Sequence, residues 1–489
     1  MKKLFYLLLF IGIFVLFTYK LTRIPPGINF DESSIGYNAA LISKNLRDET
    51  GRFLPVFILT LNQKDWKRPV NIYTTALLFR LFGVSYFNLK LTSVIWAMMS
   101  CLLFYKLLRL FFPEALSLAG LLLFISSPSM LIQSHLALEN IALLPFLLGW
   151  LYFLISYSLR QNRTYLLLSG ISLGISFYSY KGMSSMVPVY LFVSSVFLLH
   201  LYLKKKVTVK NASLFFLGLS PFLLPIPWLI VHYAGAIYDP LTVSFRSYYD
   251  MLIVYLSSFD FSFLFGKGDS MLVHSTGRHG MFLAPTLILF FLGLSAIYRE
   301  KKAEYYLIFF SLLLTPLLLT LVNSIYRASR LMAYIPLATF IFVLGLKVVC
   351  DYPKKIIRIM VLVIFAAGLC WSYFDFTNYY YGDYPKRIVA DFAPNLEGAF
   401  SELANLSRSM NKTPYIESDD YNHYRFDINF FEQVYFPKGN LNIWIREVDA
   451  FPDNGLLLTG IDGGENLTTL KKIENIESGQ RNFYILDHK

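Results

Sequence analysis

Asp31 and Glu32 directly follow Ile24-Pro25-Pro26-Gly27-Ile28-Asn29-Phe30 and precede Ser34 to Leu46, whose apolar residues recur at helical spacing. A carboxylate held at a helix start behind a Pro-Pro turn can take a proton from an attacking hydroxyl. The same residue types also serve as routine N-terminal helix caps, so the residues alone leave both uses open. Asp65-Trp66-Lys67-Arg68-Pro69 sets two cations beside an aromatic ring. They suit a lipid-linked phosphate, Arg by bidentate donation and Lys as a point charge, or they snorkel to headgroups. His135 and Glu139 are four residues apart, a spacing that can share one helix face. They could orient a substrate or bind a divalent metal, or they could form a simple hydrogen-bonded pair; two ligands alone fall short of a metal site. Tyr326-Arg327-Ala328-Ser329-Arg330 puts two arginines in a short connection between apolar stretches, and Lys181 and Arg278 are lesser cases of a cation in such a place.

The elements that must hold these residues are set by lipid. Of 489 residues 55% are hydrophobic and 16% charged, and the mean hydropathy is +0.50, above what a soluble core requires. Apolar stretches near the length of a spanning helix recur as far as Tyr373. We expect about eleven transmembrane helices. The first seven are Leu4 to Tyr19, Leu89 to Leu108, Ala115 to Ile132, Ile141 to Leu159, Tyr165 to Tyr180, Val187 to Leu203 and Leu214 to Val231. The last four are Leu283 to Tyr298, Tyr305 to Val322, Leu331 to Val349 and Ile356 to Tyr373. Met1 to Tyr19 reads as a retained helix rather than a cleaved signal, because Lys20-Leu21-Thr22-Arg23-Ile24 offers no small-residue cleavage site.

With the N-terminus in the cytoplasm, the short inner loops collect Lys106 and Arg109, Arg160 and Arg163, Lys204 to Lys206 with Lys210, Arg299 with Lys301 and Lys302, and Lys347 with Lys354, Lys355 and Arg358. This satisfies the positive-inside rule, against which Arg327 and Arg330 stand out. The expected location is the plasma or inner membrane. Residues 1–373 then form a transmembrane domain, with outer loops at 20–90 and 232–282, and residues 374–489 an extracytoplasmic tail. Ser34 to Leu46 and Val70 to Phe82 are too short or too polar to span and are expected to lie along the interface. The tail regains charge and alternates short apolar runs with turns, as a small soluble α/β domain does.

The net charge of +12 sits in clusters at the ends of apolar stretches, which is membrane topology and excludes a nucleic-acid-binding reading. No P-loop, HExxH or G-x-S-x-G motif appears where nucleotide, zinc-protease or hydrolase chemistry would need it. Carboxylates and cations on the outer side suit transfer of a group from a phosphorylated lipid. A transporter or flippase for lipid-linked glycans would also present cations to phosphate, and a noncatalytic subunit of an envelope glycan assembly is a third reading.

Dispersed motifs sharpen this. Pro26-Gly27-Ile28-Asn29-Phe30-Asp31-Glu32, Gly36-Tyr37-Asn38-Ala39, Arg68-Pro69-Val70-Asn71-Ile72-Tyr73 and Leu81-Phe82-Gly83-Val84-Ser85 follow in order through the first outer loop. In order and spacing they resemble the GT-C class of polyprenyl-phosphate-dependent glycosyltransferases, family 39, which contains protein O-mannosyltransferases and lipid A aminoarabinose transferases. The resemblance implies a GT-C membrane fold. It also implies inverting transfer of a sugar from a polyprenyl-phosphate donor to a hydroxyl on a protein, lipid or glycan, with no firmly implied cofactor beyond that donor. Asp31 matches the family's catalytic base and Glu32 its acidic neighbour. Lys67 and Arg68 resemble the segment that meets the carrier phosphate, and Arg327 and Arg330 the late outer-loop arginine. Glu139 matches an acidic residue of the second outer loop, where it would orient donor or acceptor. His135 stands where an arginine is common, and Tyr37 and Tyr326 lie within the matching segments as further orienting residues.

Overall fold

The computed structural model describes residues 2–237, 247–322, 324–445, 451–463 and 467–488. Of the second long outer loop, residues 238–246 lie outside the described residues. Along the chain come α1 (Lys2–Thr18), α2 (Phe30–Asn45), the hairpin β1 (Ile58–Thr60) and β2 (Asp65–Lys67), α3 (Pro69–Phe82), α4 (Tyr86–Leu108), α5 (Glu114–Ile125), α6 (Pro128–Ser134) and α7 (Leu143–Arg160). They are followed by α8 (Thr164–Phe177), α9 (Met183–Leu203), α10 (Val209–Leu223), α11 (Ile226–His232), α12 (Tyr248–Ser257), α13 (Thr286–Glu300), α14 (Ala303–Leu314), α15 (Leu317–Leu321), α16 (Tyr334–Cys350) and α17 (Lys355–Tyr381).

Each of the eleven expected segments is helical. Among the described residues six helical stretches are long and apolar enough to cross a membrane, and α5 with α6, bent by 63°, makes a seventh. The remaining segments, α1, α8, α13 and α16, have 17, 14, 15 and 17 residues. At about 1.5 Å per residue, these shorter helices reach roughly 21–26 Å. Apolar composition sets where a helix lies more firmly than how long it runs. The chain is a multi-pass α-helical membrane protein.

Two compact units divide the chain. The first holds Met1–Phe17, Ser93–Ser134 and Glu139–Tyr379; the second holds Thr18–Thr92, His135–Leu138 and Tyr380–Lys489. Within the first unit, glycines let helices approach closely, as expected where packing rather than water drives association. A β-carbon added at Gly170 of α8 would lie 2.0 Å from the Phe215 carbonyl oxygen of α10, and one at Gly218 of α10 would lie 2.2 Å from that of Leu167. Gly293 of α13 and Gly345 of α16 approach the Ile341 and Leu289 carbonyls in the same reciprocal way. Because backbone cannot yield as a side chain can, Gly170→Val is expected to cost roughly 1–3 kcal/mol. Its thermal inactivation midpoint should fall below the parent's, and an unchanged midpoint would show that α8 and α10 do not pack through this glycine.

The second unit builds the tail around a five-stranded sheet ordered β4-β3-β5-β7-β6, from β3 (Thr413–Glu417), β4 (Asn442–Trp444), β5 (Gly455–Thr459), β6 (Leu467–Ile473) and β7 (Phe483–His488). The β3 strand runs parallel to both β4 and β5, while β7 is antiparallel to β5 and β6. The helices are α18 (Tyr384–Arg387), α19 (Leu396–Met410), α20 (Ser418–His423) and α21 (Arg425–Tyr435). Trp444, Phe451, Leu457 and Leu486 cluster in the sheet's core. This is the α/β tail domain expected from the alternating runs.

The first outer loop belongs to this same unit. Its helices α2 and α3 begin at Phe30 and Pro69 and end at Asn45 and Phe82, close to the expected Ser34 to Leu46 and Val70 to Phe82. Pro69 starts α3 because its ring presets the helical φ and its missing N–H is not needed at a helix's first position. Gly83 ends it at φ 86°, a conformation that costs glycine little. Gly36 brings α2 against α21: an added β-carbon would lie 2.8 Å from the Phe430 ring.

Candidate active site

The residue that starts α2 also decides between the two uses of its acidic pair. Asn29 is the N-cap, its side chain accepting from the Asp31 backbone N–H at 3.0 Å. Glu32 closes the capping box by accepting from the Asn29 N–H at 3.0 Å through Oε2. Its other oxygen accepts from the Ala137 N–H at 2.6 Å and lies 3.6 Å from the Lys90 ammonium. Glu32 is fully buried. Both carboxylate oxygens therefore hold the fold, and this position makes Glu32 a positioning residue.

Asp31 is the member of the pair that remains accessible. Its side chain is 32% exposed and accepts a hydrogen bond from Lys67 Nζ at 2.5 Å. The β1–β2 hairpin delivers that ammonium, and Lys67 Nζ also lies 2.9 Å from Asp65 Oδ2. One largely buried cation thus sits between two carboxylates. Arg68, the N-cap of α3, is buried with its guanidinium 4.6 Å from the centre of the Phe57 ring, a desolvated cation–π stack. Lys67 is accordingly the member of the basic pair that meets Asp31.

Two expectations about neighbours change. His135 and Glu139 do not share a helix face: α6 stops at Ser134, and Glu139 opens a separate 3₁₀ turn, Glu139–Ile141. The His135 ring is buried, its Nδ1 within 3.2 Å of the Ile24 carbonyl and 3.1 Å of the Tyr380 hydroxyl. Its carbonyl accepts from Lys90 Nζ at 3.0 Å. These contacts make His135 a buried link between chain segments.

Tyr37 stands six residues beyond Asp31 on α2, about 9 Å along the axis and roughly 120° around it. Its charged neighbours are Glu49, Glu432 and Arg425, so it faces away from Lys67. Burial and those carboxylates raise its phenol above the usual range. Among the described residues no group of three or more His, Cys, Asp or Glu could hold a metal ion. The space between Asp31 and Asp65 is filled by the Lys67 ammonium. These residues do not fit a resident divalent ion.

The first unit carries the other candidates. Glu139 Oε1 accepts from the Lys181 N–H at 3.0 Å, which ties the two together. Arg327 Nη1 lies 3.8 Å from Asp269 Oδ1, and the other oxygen of Asp269 accepts from the Ser329 N–H at 3.0 Å and its hydroxyl at 3.2 Å. The buried Asp269 therefore orders the whole arginine loop. Tyr326, at φ +53°, donates its hydroxyl to Asp260 Oδ2 at 3.1 Å. Arg330 makes no ion pair among the described residues. It lies close enough to Tyr180 to act on it electrostatically, as do Glu139 and Asp269.

Sequence reasoning missed Asp65, Lys90, Asp269 and Asp427. Asp65 lay in plain view beside Lys67; the others are single polar residues whose partners are far away in sequence. Asp427, on α21, accepts from the Ser33 hydroxyl of α2. Burial pushes its carboxyl up to about 7, with the Ser33 bond opposing and Glu32 adding to the rise. An unfolded Asp titrates near ~3.9. Between these values the folded chain keeps a proton that the unfolded chain has released, so this group's contribution to stability falls as pH rises from about 4 through about 7. Glu49, raised by burial to about 7, acts in the same direction. Asp427→Asn should therefore flatten the decline of the melting midpoint between pH 5 and 8; an identical slope in the variant would mean that the carboxyl ionises freely.

Residues 67–230 match the family model described as dolichyl-phosphate-mannose-protein mannosyltransferase. The structure of ArnT from Cupriavidus metallidurans in the apo state aligns with a TM-score of 0.57 and 10% identity, over 99% of this chain and 98% of that one. The ArnT structure bound to undecaprenyl phosphate aligns with a TM-score of 0.52 and 10% identity, covering 98% of both chains. The archaeal oligosaccharyltransferase AglB from Archaeoglobus fulgidus, in complex with an inhibitory peptide and a dolichol-phosphate, gives 0.50 and 11%, over 88% of this chain and 64% of that one. No curated protein matches the chain by sequence. At these identities the likeness is one of fold.

Proposed function

Because the chain has the GT-C membrane fold and its residues 67–230 match the dolichyl-phosphate-mannose-protein mannosyltransferase family model, we propose that it transfers a sugar from a polyprenyl-phosphate donor to a hydroxyl acceptor, with inversion and with Asp31 as base. The observation that carries this is the division of labour in the acidic pair: Glu32 caps the helix and Asp31 remains accessible beside Lys67.

In the reaction, Asp31 accepts the acceptor hydroxyl's proton as the oxygen attacks the anomeric carbon. The carbon–oxygen bond to the phosphate breaks, and its electron pair leaves on the polyprenyl phosphate. A single displacement inverts the anomeric centre. Lys67 neutralises the departing phosphate. Lys67 is paired with carboxylates before the donor arrives, so an incoming phosphate would compete for it and loosen Asp31 for proton transfer. The lipids bound by ArnT and AglB support a carrier of the undecaprenyl or dolichyl type. The basic inner loops support an active face on the extracytoplasmic side.

The test is purified protein in vesicles supplied with a polyprenyl-phosphate sugar, comparing the parent with Asp31→Asn for formation of a glycosidic bond. Lipid movement across the bilayer without bond formation would replace this reading with the transport one.

A further inference from the structure

The second unit contains a cavity of about 340 Å³ whose wall includes Phe30, the residue before Asp31. Asp427, bonded to Ser33 two residues after Asp31, lines it as well. The rest of the wall comes from the tail: His423 at the end of α20 and Tyr424 after it, Gln480 and Arg481 before β7, and the strip at residues 389–394.

The same tail segments grip the run that leads to Asp31. The Ala393 N–H donates to the Ile28 carbonyl at 2.8 Å, the Asn29 amide to the Asp391 carbonyl at 3.0 Å, and the Gln480 amide to the Pro26 carbonyl at 2.8 Å. A β-carbon on Gly27 would collide with the Ala393 carbonyl, which explains glycine there. The cavity is therefore fixed to the first turn of α2, with Phe30, directly before the proposed base, in its wall.

Its chemistry narrows the occupant. The volume is at the small end of the roughly 300–1,000 Å³ usual for ligand pockets, enough for one or two rings. Phe30 is 50% exposed despite its size, and the His423 and Tyr424 rings meet edge to face at 4.5 Å. Aromatic surface of this kind can cover the C–H face of a sugar, while the Asp427 carboxylate and Gln480 amide can bond hydroxyls.

A phosphate is disfavoured. The wall's guanidinium, Arg481, is paired at 2.7 Å with fully buried Asp420, and Asp391 adds negative charge. An extended peptide would be expected to add to a sheet edge, but the edge strands β4 and β6 do not contribute to the wall. From this geometry we propose that the cavity is a subsite for a neutral sugar ring of the acceptor. The word acceptor rests on the transferase reading; binding of a sugar ring does not.

The experiment uses full-length protein in nanodiscs, with methyl α-mannoside, methyl β-galactoside and methyl β-N-acetylglucosaminide as probes in saturation-transfer NMR, and a serine- and threonine-containing peptide alongside. At least one glycoside should bind. Tyr424→Ala should weaken that binding about tenfold, while Tyr424→Phe, which keeps the ring, stays within about twofold. Undecaprenyl phosphate binding, unchanged in both variants, reports that they are folded. Asp31→Asn should bind the glycoside as the parent does; if it also still transferred sugar, the transferase reading would fail and the sugar subsite would remain. Absence of glycoside binding, binding indifferent to Tyr424→Ala, or binding of the peptide in place of every glycoside overturns the proposal.

Discussion

Asp31→Asn should lower sugar transfer by about 10²–10⁴-fold, the range lost when a positioned general base is removed. The substitution is close to isosteric, and the asparagine carbonyl can still accept from the Lys67 ammonium that now lies 2.5 Å from Asp31 Oδ1. What disappears is a place for the acceptor's proton. Capping of α2 is untouched, since Asn29 and Glu32 make the box between them. The loss should therefore appear in turnover, with donor lipid binding and the melting midpoint close to the parent's. A variant that folds, binds donor and transfers sugar at the parental rate would remove Asp31 from the reaction and return it to an ordinary first-turn acid, the other use its sequence allowed.

That ambiguity shows where sequence stops. Local patterns located local elements: the Pro-Pro turn, the helical spacing after Ser34 and the proline at 69 placed α2 and α3 within a few residues of where they lie. Apolar length placed a helix in each of the eleven expected segments, of which seven, counting the bent α5–α6 pair as one, are long enough to cross a membrane among the described residues, and the return of charge after Tyr373 marked the α/β tail. Both uses of the Asp31-Glu32 pair were visible, and Asn29-x-x-Glu32 is itself a cap signature. Their assignment to different residues was not, because Glu32 is held by the Ala137 N–H and by Lys90, partners that no spacing rule connects to it.

Long-range pairing explains the remaining misses. Ser33 and Asp427 are 394 residues apart, and Gln480 and Pro26 are 454 apart. Nothing in the tail's own sequence announces that it folds with the first outer loop. Helix continuity misled in both directions. Four-residue spacing suggested one face for His135 and Glu139, yet the chain leaves the helix between them. The last apolar stretch seemed to end at Tyr373, yet α17 runs to Tyr381 through tyrosines that helix geometry tolerates. Arginines against the positive-inside rule did point to a loop that the fold organises, but the organiser, Asp269, lies some sixty residues away.

The largest structural loss should come from Glu32→Ala. It leaves the Lys90 ammonium, fully buried, without its carboxylate at 3.6 Å. It also strips hydrogen bonds from the Asn29 and Ala137 backbone N–H groups. Removing one partner of a buried ion pair costs roughly 3–5 kcal/mol because the remaining charge is stranded, and each orphaned buried donor adds about 1–3 kcal/mol. Against a total stability of about 5–15 kcal/mol, this should prevent accumulation of folded protein in the membrane. Adding Lys90→Met to Glu32→Ala removes the stranded charge while keeping most of the side chain's volume, so the double variant should accumulate better than Glu32→Ala alone. It should still melt below the parent, because the cap and the Ala137 contact stay broken. Equal loss in the single and double variants would show that Glu32 acts through those two backbone contacts and that its pairing with Lys90 contributes little.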